Sequence, residues 1–191
     1  MALLFAITLL YPIFSTYAKI NDRFDRSVGP TLDGMAFMEK AIYNGPRGPL
    51  PLSDDAAAIR WLQENVSGSP TVAEMVQALY NPSSRITMYT GNPSIVGWDW
   101  HQRQQRAASL PGQVEQRGAD VQQLYNSPDA TLAQQILTRY GVDYIVVGGW
   151  EKANSSPEGI AKFAANDGVL WDEVYNEANT QIYRVRERAA P

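Results

Sequence analysis

Cysteine is absent from the 191 residues, and histidine occurs once, as His101. With no thiols there is no disulfide framework and no thiolate metal site. A single imidazole cannot build a zinc centre that needs several His or Cys ligands. A carboxylate site for a hard cation is compatible with the composition, but no metal and no cofactor are assigned to this chain. An excess of basic residues is also missing. Lys and Arg number 16 against 20 Asp and Glu, for a net charge of −4. Nucleic-acid partners leave a basic footprint, so none is expected. The same balance argues against tight docking on an anionic membrane surface. Phosphate-loop motifs are missing too. Gly148-Gly149 follows an apolar run, but neither G-x-G-x-x-G nor G-K-[ST] is present, and the pair reads as a plain turn. No Ser/His/Asp order stands out, and catalytic residues stay unassigned.

What is present is a composition that can fold. Hydrophobic residues make up 45% and charged residues 19%, near the globular range. The first 18 residues, Met1 to Ala18, carry no charge. Such a run is slightly short for a spanning helix, which needs about 20 apolar residues, and it holds Pro12. No basic residue precedes it, as a secretory signal would require. A buried core helix is one alternative. The end of a transmembrane helix is the preferred reading, with Tyr11 and Tyr17 suited to an interfacial belt. Lys19, Asp22, Arg23, Asp25 and Arg26 then mark the exit into water.

Residues 19–52 read as a linker, rich in Gly and Pro after residue 27, with one helical patch at 35–43. An α/β domain is expected over 53–188. Ser53 reads as an N-cap, with Asp54 and Asp55 in the first helical turn. Residues 71–76 and 84–90 read as strands, the second by its alternation, and 119–125 as a short helix or strand. Asp129 to Tyr140 reads as a helix stopped by Gly141. Residues 142–147 (VDYIVV) form a near-continuous apolar run, suited to a buried parallel strand. A helix over 157–166 and a closing hairpin of 170–175 with 180–185 complete the order. The fold class is α/β: a small mixed sheet with flanking helices and a C-terminal antiparallel hairpin, preceded by a membrane-helix stub.

The segment from Tyr89 to Arg106 (YTGNPSIVGWDWHQRQQR) resembles the exposed region of the "YYY" family of prokaryotic multi-pass membrane proteins. Tyr11-Pro12 through Phe24, residues 31–34 (TLDG), 57–65 (AIRWLQEN from Ala58), 120–125 and 140–148 fit the same pattern in the same order. That family looks related to the GT-C membrane glycosyltransferases, which use lipid-linked sugars. The resemblance implies a C-terminal soluble domain on the extracytoplasmic side of the cell membrane. Its implied partners are the membrane-embedded remainder of a parent protein and a lipid-linked sugar or glycan. The implied role is accessory to sugar transfer, with this chain not itself catalytic. The pattern carries an acidic residue where Gln102 stands and an aromatic where Gln105 stands. Those departures weaken any acid–base role for the segment.

Trp98, Trp100, His101, Arg103 and Arg106 are the candidate ligand-binding residues. Trp stacks on sugar faces, and Arg makes bidentate bonds to phosphate. Gly91, Pro93 and Gly97 should shape the segment as a turn-rich loop. The plainer alternative is a loop anchored in the core by its Trp residues. In extended chain Trp98 and Trp100 share a face; in a helix His101 falls near Trp98. Glu74 is expected on a strand's exposed face, the alternative being a partly buried acid with a raised pKa. Asp33 is expected to cap a turn. Three functional classes remain open: a glycosyltransferase accessory domain, a non-catalytic envelope or glycan-binding module, and a hydrolase using His101 with Asp99 or Glu74.

Overall fold

The computed structural model describes residues 2–23, 26–77, 80–106 and 112–186. Helix α1 (Ala2–Arg23) runs through Pro12 and past the expected end at residue 18. No helix among the described residues is long and apolar enough to cross a membrane, so the membrane-helix stub is not confirmed. The stretch expected as an extended linker is structured. Asp33 Oδ1 accepts the Met35 N–H at 2.8 Å, capping the turn that enters a 3-10 helix, Ala36–Glu39. A hairpin of β1 (Ile42–Gly45) and β2 (Gly48–Pro51) follows and leads directly into α2 (Leu52–Asn65). Ser53 is therefore inside the first turn of α2 rather than its cap, and Pro51 takes the cap position.

The main sheet has four strands in the order β3 (Val72–Ala73), β4 (Tyr144–Val147), β6 (Thr180–Val185), β5 (Trp171–Glu177). β3 and β4 are parallel, and the rest of the sheet is antiparallel. The VDYIVV run is thus an internal strand, and the hairpin closes one edge as its alternation predicted. The strand expected over 71–76 shrinks to two residues. The sequence 84–90 is not a strand but helix α3 (Arg85–Thr90). The remaining helices are α4 (Asp99–Arg106), α5 (Gln113–Asn126), α6 (Ala130–Tyr140), α7 (Gly149–Asn154) and α8 (Pro157–Ala165). Gly149 therefore opens a short helix where a plain turn was expected. Asp129 caps α6 by accepting the Thr131 and Leu132 N–H groups, and Gly141 ends it in the left-handed conformation that favours glycine.

Successive strand residues face opposite sides, and the two cores follow that rule. Ala73, Ile145, Val147, Tyr183 and Trp171 join the α5, α6 and α8 side. Val72, Val146, Ile182 and Tyr175 join the side covered by α2, with Met35 and Met38 from the former linker sealing it. The sheet is therefore a middle layer between two helical layers. Tyr125 ties the layers together. Its hydroxyl lies 2.9 Å from both the Ala73 and Val146 carbonyl oxygens, at the carboxyl end of the parallel pair.

Candidate functional site

The segment singled out from sequence divides into a loop and a helix. Gly91 ends α3 at φ 77°, where a side chain would be strained. The Pro93 carbonyl accepts the Val72 N–H at 2.8 Å, which fastens the loop to the edge of β3 opposite β4. Ile95 and Val96 are buried in the core beside α5. Gly97 packs against Gln102 and Ser84. From Asp99 the chain is helical. Asp99 Oδ1 accepts the Trp100 N–H at 2.7 Å, and Asp99 Oδ2 accepts from Arg103 Nη2 at 2.8 Å, one turn on.

Helical geometry separates the five candidate residues. Trp98 is half-buried. Its indole N–H donates to the Ser83 carbonyl at 2.8 Å, and its ring lies 5.5 Å from His101 and 5.9 Å from Tyr80. Tyr80 also meets His101 edge-on at 6.0 Å. Trp98 and His101 thus belong to an aromatic cluster, as the helical alternative required. Trp100 and Arg103 face elsewhere, over a groove of about 530 Å³ between α4 and α5. Arg106 lines a neighbouring cleft of about 260 Å³ with Gly97, Gln102 and Arg117. Both Asp99 oxygens are engaged with α4, and Glu74 is sequestered in the core.

Glu74 belongs to a second polar cluster that sequence reading did not assemble. Arg85 projects from α3 into the centre of the molecule, 2% exposed. Its two terminal nitrogens donate to Glu151 at 3.1 and 2.8 Å, its Nε lies 2.8 Å from Asp55 Oδ1, and Glu74 stands 3.9 Å away. The two glutamates each have a further task. Glu151 accepts the Met75 and Gly148 N–H groups, joining the ends of β3 and β4. Glu74 accepts the Ile86 and Thr87 N–H groups and the Thr87 hydroxyl, capping α3 from across the chain. Gly148 lets the clamp approach the strand end closely: a Cβ there would lie 3.1 Å from Arg85 Nη2 and Thr180 Oγ1 and 3.3 Å from Asp55 Oδ1 and would press on all three.

Burial raises the pKa of Asp55 and of Glu74, with Arg85 only partly opposing it. Burial acts the same way on Glu151, but the Arg85 charge and fork and two backbone N–H groups outweigh it and leave that pKa lowered. Burial disfavours the Arg85 charge, yet Asp55 and Glu151 more than offset this and hold it protonated. The cluster fits a structural clamp, since all three carboxylates gather on one guanidinium and the two glutamates also hold backbone N–H groups. Among the described residues no group of His, Asp and Glu is arranged to hold a metal. The exposed-face expectation for Glu74 is corrected: it is buried with a raised pKa. The missed signal was an acid inside an apolar stretch, with Arg85 in a segment read as a strand and Glu151 just beyond the Gly148-Gly149 turn.

No family model matches the chain, and no curated protein matches it. Among solved structures it is similar to the C-terminal globular domain of an oligosaccharyltransferase from Archaeoglobus fulgidus, at 12% identity and a TM-score of 0.44. The match covers 70% of this chain and 97% of that one. Likeness at that level carries no inference about what this chain binds or does. Membership of the "YYY" family is not shown, and that resemblance rests on the quoted residues.

Proposed function

We propose that the folded part of this chain is a non-catalytic, water-exposed domain held at a membrane by α1, and that it is accessory to transfer of sugar from a lipid-linked donor. One observation carries the tethering. Ten large apolar or aromatic side chains of α1, from Leu4 to Ile20, are exposed, and neither core cluster contains a residue of α1. Soluble proteins rarely leave so large an apolar surface uncovered. The link to sugar transfer is supported by the resemblance of the 89–106 segment, and so is the extracytoplasmic side.

Two measurements test this reading. The intact chain should float with phosphatidylcholine vesicles in a density gradient, and a form lacking residues 2–18 should stay at the bottom. Equal flotation of both would end the tethering proposal. The side is accessible because the chain has no cysteine. A Glu177→Cys variant, at an exposed position in the β5–β6 hairpin, should react in intact cells with a membrane-impermeant maleimide. Reaction only after lysis would place the domain on the cytoplasmic side.

A second reading is a glycan-binding module of the cell envelope. The observation favouring it is Trp100, an indole 47% exposed at the mouth of a groove lined by charged and amide side chains.

A further inference from the structure

Trp100 is held in the open by its own helix. Arg103 places its guanidinium carbon 5.5 Å from the indole centroid, while bonding Asp99 at 2.8 Å and standing 3.9 Å from Glu115 Oε1 on α5. The indole is therefore braced at the wall of the α4–α5 groove, away from the core. The floor between the walls is small and apolar, formed by Val76, Val114, Gly118 and Ala119. Nothing lies within 4 Å of where a Cβ on Gly118 would sit, so the space above it is open. Gln77 and Gln122 add amide groups at the rim. The volume, about 530 Å³, lies within the range of small-molecule sites, roughly 300–1,000 Å³.

The geometry points to a pyranose-binding subsite in this groove, specific for an uncharged sugar unit and built by Trp100, Asp99, Arg103, Glu115 and Gly118. It rests on the reading of this domain as one that meets glycans. The C–H face of a pyranose matches an indole, as apolar faces pair with aromatic rings elsewhere. Its hydroxyls are both donors and acceptors, and the wall offers carboxylates to accept and a guanidinium to donate. The charge balance selects against phosphate. Two carboxylates flank one guanidinium, so Arg103 is already neutralised and the wall is net negative. Arg103 therefore orients the platform and donates to a hydroxyl, and it is not a phosphate ligand. Trp98, His101 and Arg106 lie outside the groove.

The test uses the full chain in a sugar-free detergent such as lauryldimethylamine oxide. Indole N–H resonances are followed by NMR during titration with methyl glucoside, methyl mannoside, N-acetylglucosamine and maltotetraose, with inorganic phosphate as a separate arm. At least one sugar should move the Trp100 resonance saturably, and phosphate should not. Trp100→Ala removes the platform. Gly118→Phe fills the groove from a position where a Cβ meets nothing within 4 Å. Each should weaken binding at least tenfold with the thermal midpoint kept, and Glu115→Gln should change which sugar is preferred. Sugar binding retained by both Trp100→Ala and Gly118→Phe would place the site elsewhere, leaving the glycan reading intact. Response to phosphate in place of sugar would overturn the assignment of ligand class. No response to any sugar would overturn the subsite and the glycan reading together.

Discussion

Arg85 carries one positive charge into a space that holds three carboxylates. Removing it leaves those acids buried without a counter-charge, which typically costs about 3–5 kcal/mol. Arg85→Met should lose that much in urea unfolding at neutral pH, and Arg85→Lys should recover little, because an ammonium cannot reproduce the fork. The acid dependence has two signs. Glu151, lowered in the fold, contributes stability above its ordinary value of 4.5 that is lost as pH falls through the folded pKa. Asp55 and Glu74, raised in the fold, act oppositely and relieve the clamp as they take up protons. Little of this was legible in the sequence. An acid between Ala73 and Met75 looks the same whether a water molecule or an arginine 11 residues on will meet it. Lys162 is a second case. It is 4% exposed, donates to the Leu124 and Gly159 carbonyl oxygens, and burial lowers its pKa from 10.5 to about 8. Between those values the unfolded chain holds the proton more tightly than the fold, so stability should rise with pH there. The urea midpoint should increase from about pH 7.5 to about pH 9.5, below ordinary tyrosine ionisation, and Lys162→Met should remove most of that rise. A wild-type midpoint that falls over the interval would contradict the assignment.

At the scale of elements, local signals succeeded where the chain makes its own contacts and failed where a distant group decides. The helix capped by Asp129 and stopped by Gly141, the VDYIVV strand and the closing hairpin all formed within a residue or two of expectation. The alternating run 84–90 became helical because Glu74 satisfies the N–H groups of Ile86 and Thr87 and Gly91 closes the far end. That is a tertiary override of β propensity. The packing of α8 on α5 was equally hidden. A Cβ on Gly159 would sit 2.1 Å from the Tyr125 carbonyl oxygen and 2.6 Å from the Asn126 carbonyl carbon. Those are backbone atoms and cannot turn aside, so Gly159→Ala should cost about 3 kcal/mol, at the upper end of overpacking effects. Unfolding within about 0.5 kcal/mol of wild type would show that the helices can separate freely. The two candidate tryptophans differ by element position. Trp98→Ala loses a half-buried ring and the bond to Ser83, and should cost about 2 kcal/mol. Fully buried Trp171 should cost about 3–5 kcal/mol on the same change, whereas Trp100→Ala should leave the melt almost unmoved.

Across the whole molecule, the sequence made legible that an α/β unit follows an uncharged N-terminal run, but not how far that unit reaches. The stretch expected as linker contributes Met35 and Met38 to one core and packs Tyr43 and Leu50 against the other. The Gly and Pro residues that suggested an open chain serve the β1–β2 hairpin and its exit into α2. The Tyr43 ring meets Trp150 edge-on at 5.5 Å, a contact no local pattern reveals. The folded unit therefore draws on residues from about 35 onward, and α1 stands outside its cores. This separation yields a prediction. Deleting residues 2–18 removes side chains of which those described are mostly exposed and belong to neither core. The loss should behave as a surface change, within about 0.5 kcal/mol, or about 1–2 °C in thermal midpoint for a chain of this size. Deleting residues 2–41 also takes Met35 and Met38 from beneath α2. Each is a buried methionine, worth about 2–5 kcal/mol on truncation to Ala, so this form should melt far lower or fail to fold. The two deletions are compared in one detergent to keep α1 dispersed. If the shorter deletion alone destabilised the domain strongly, α1 would be part of the fold, and the apolar surface that motivates a membrane tether would be needed for packing instead.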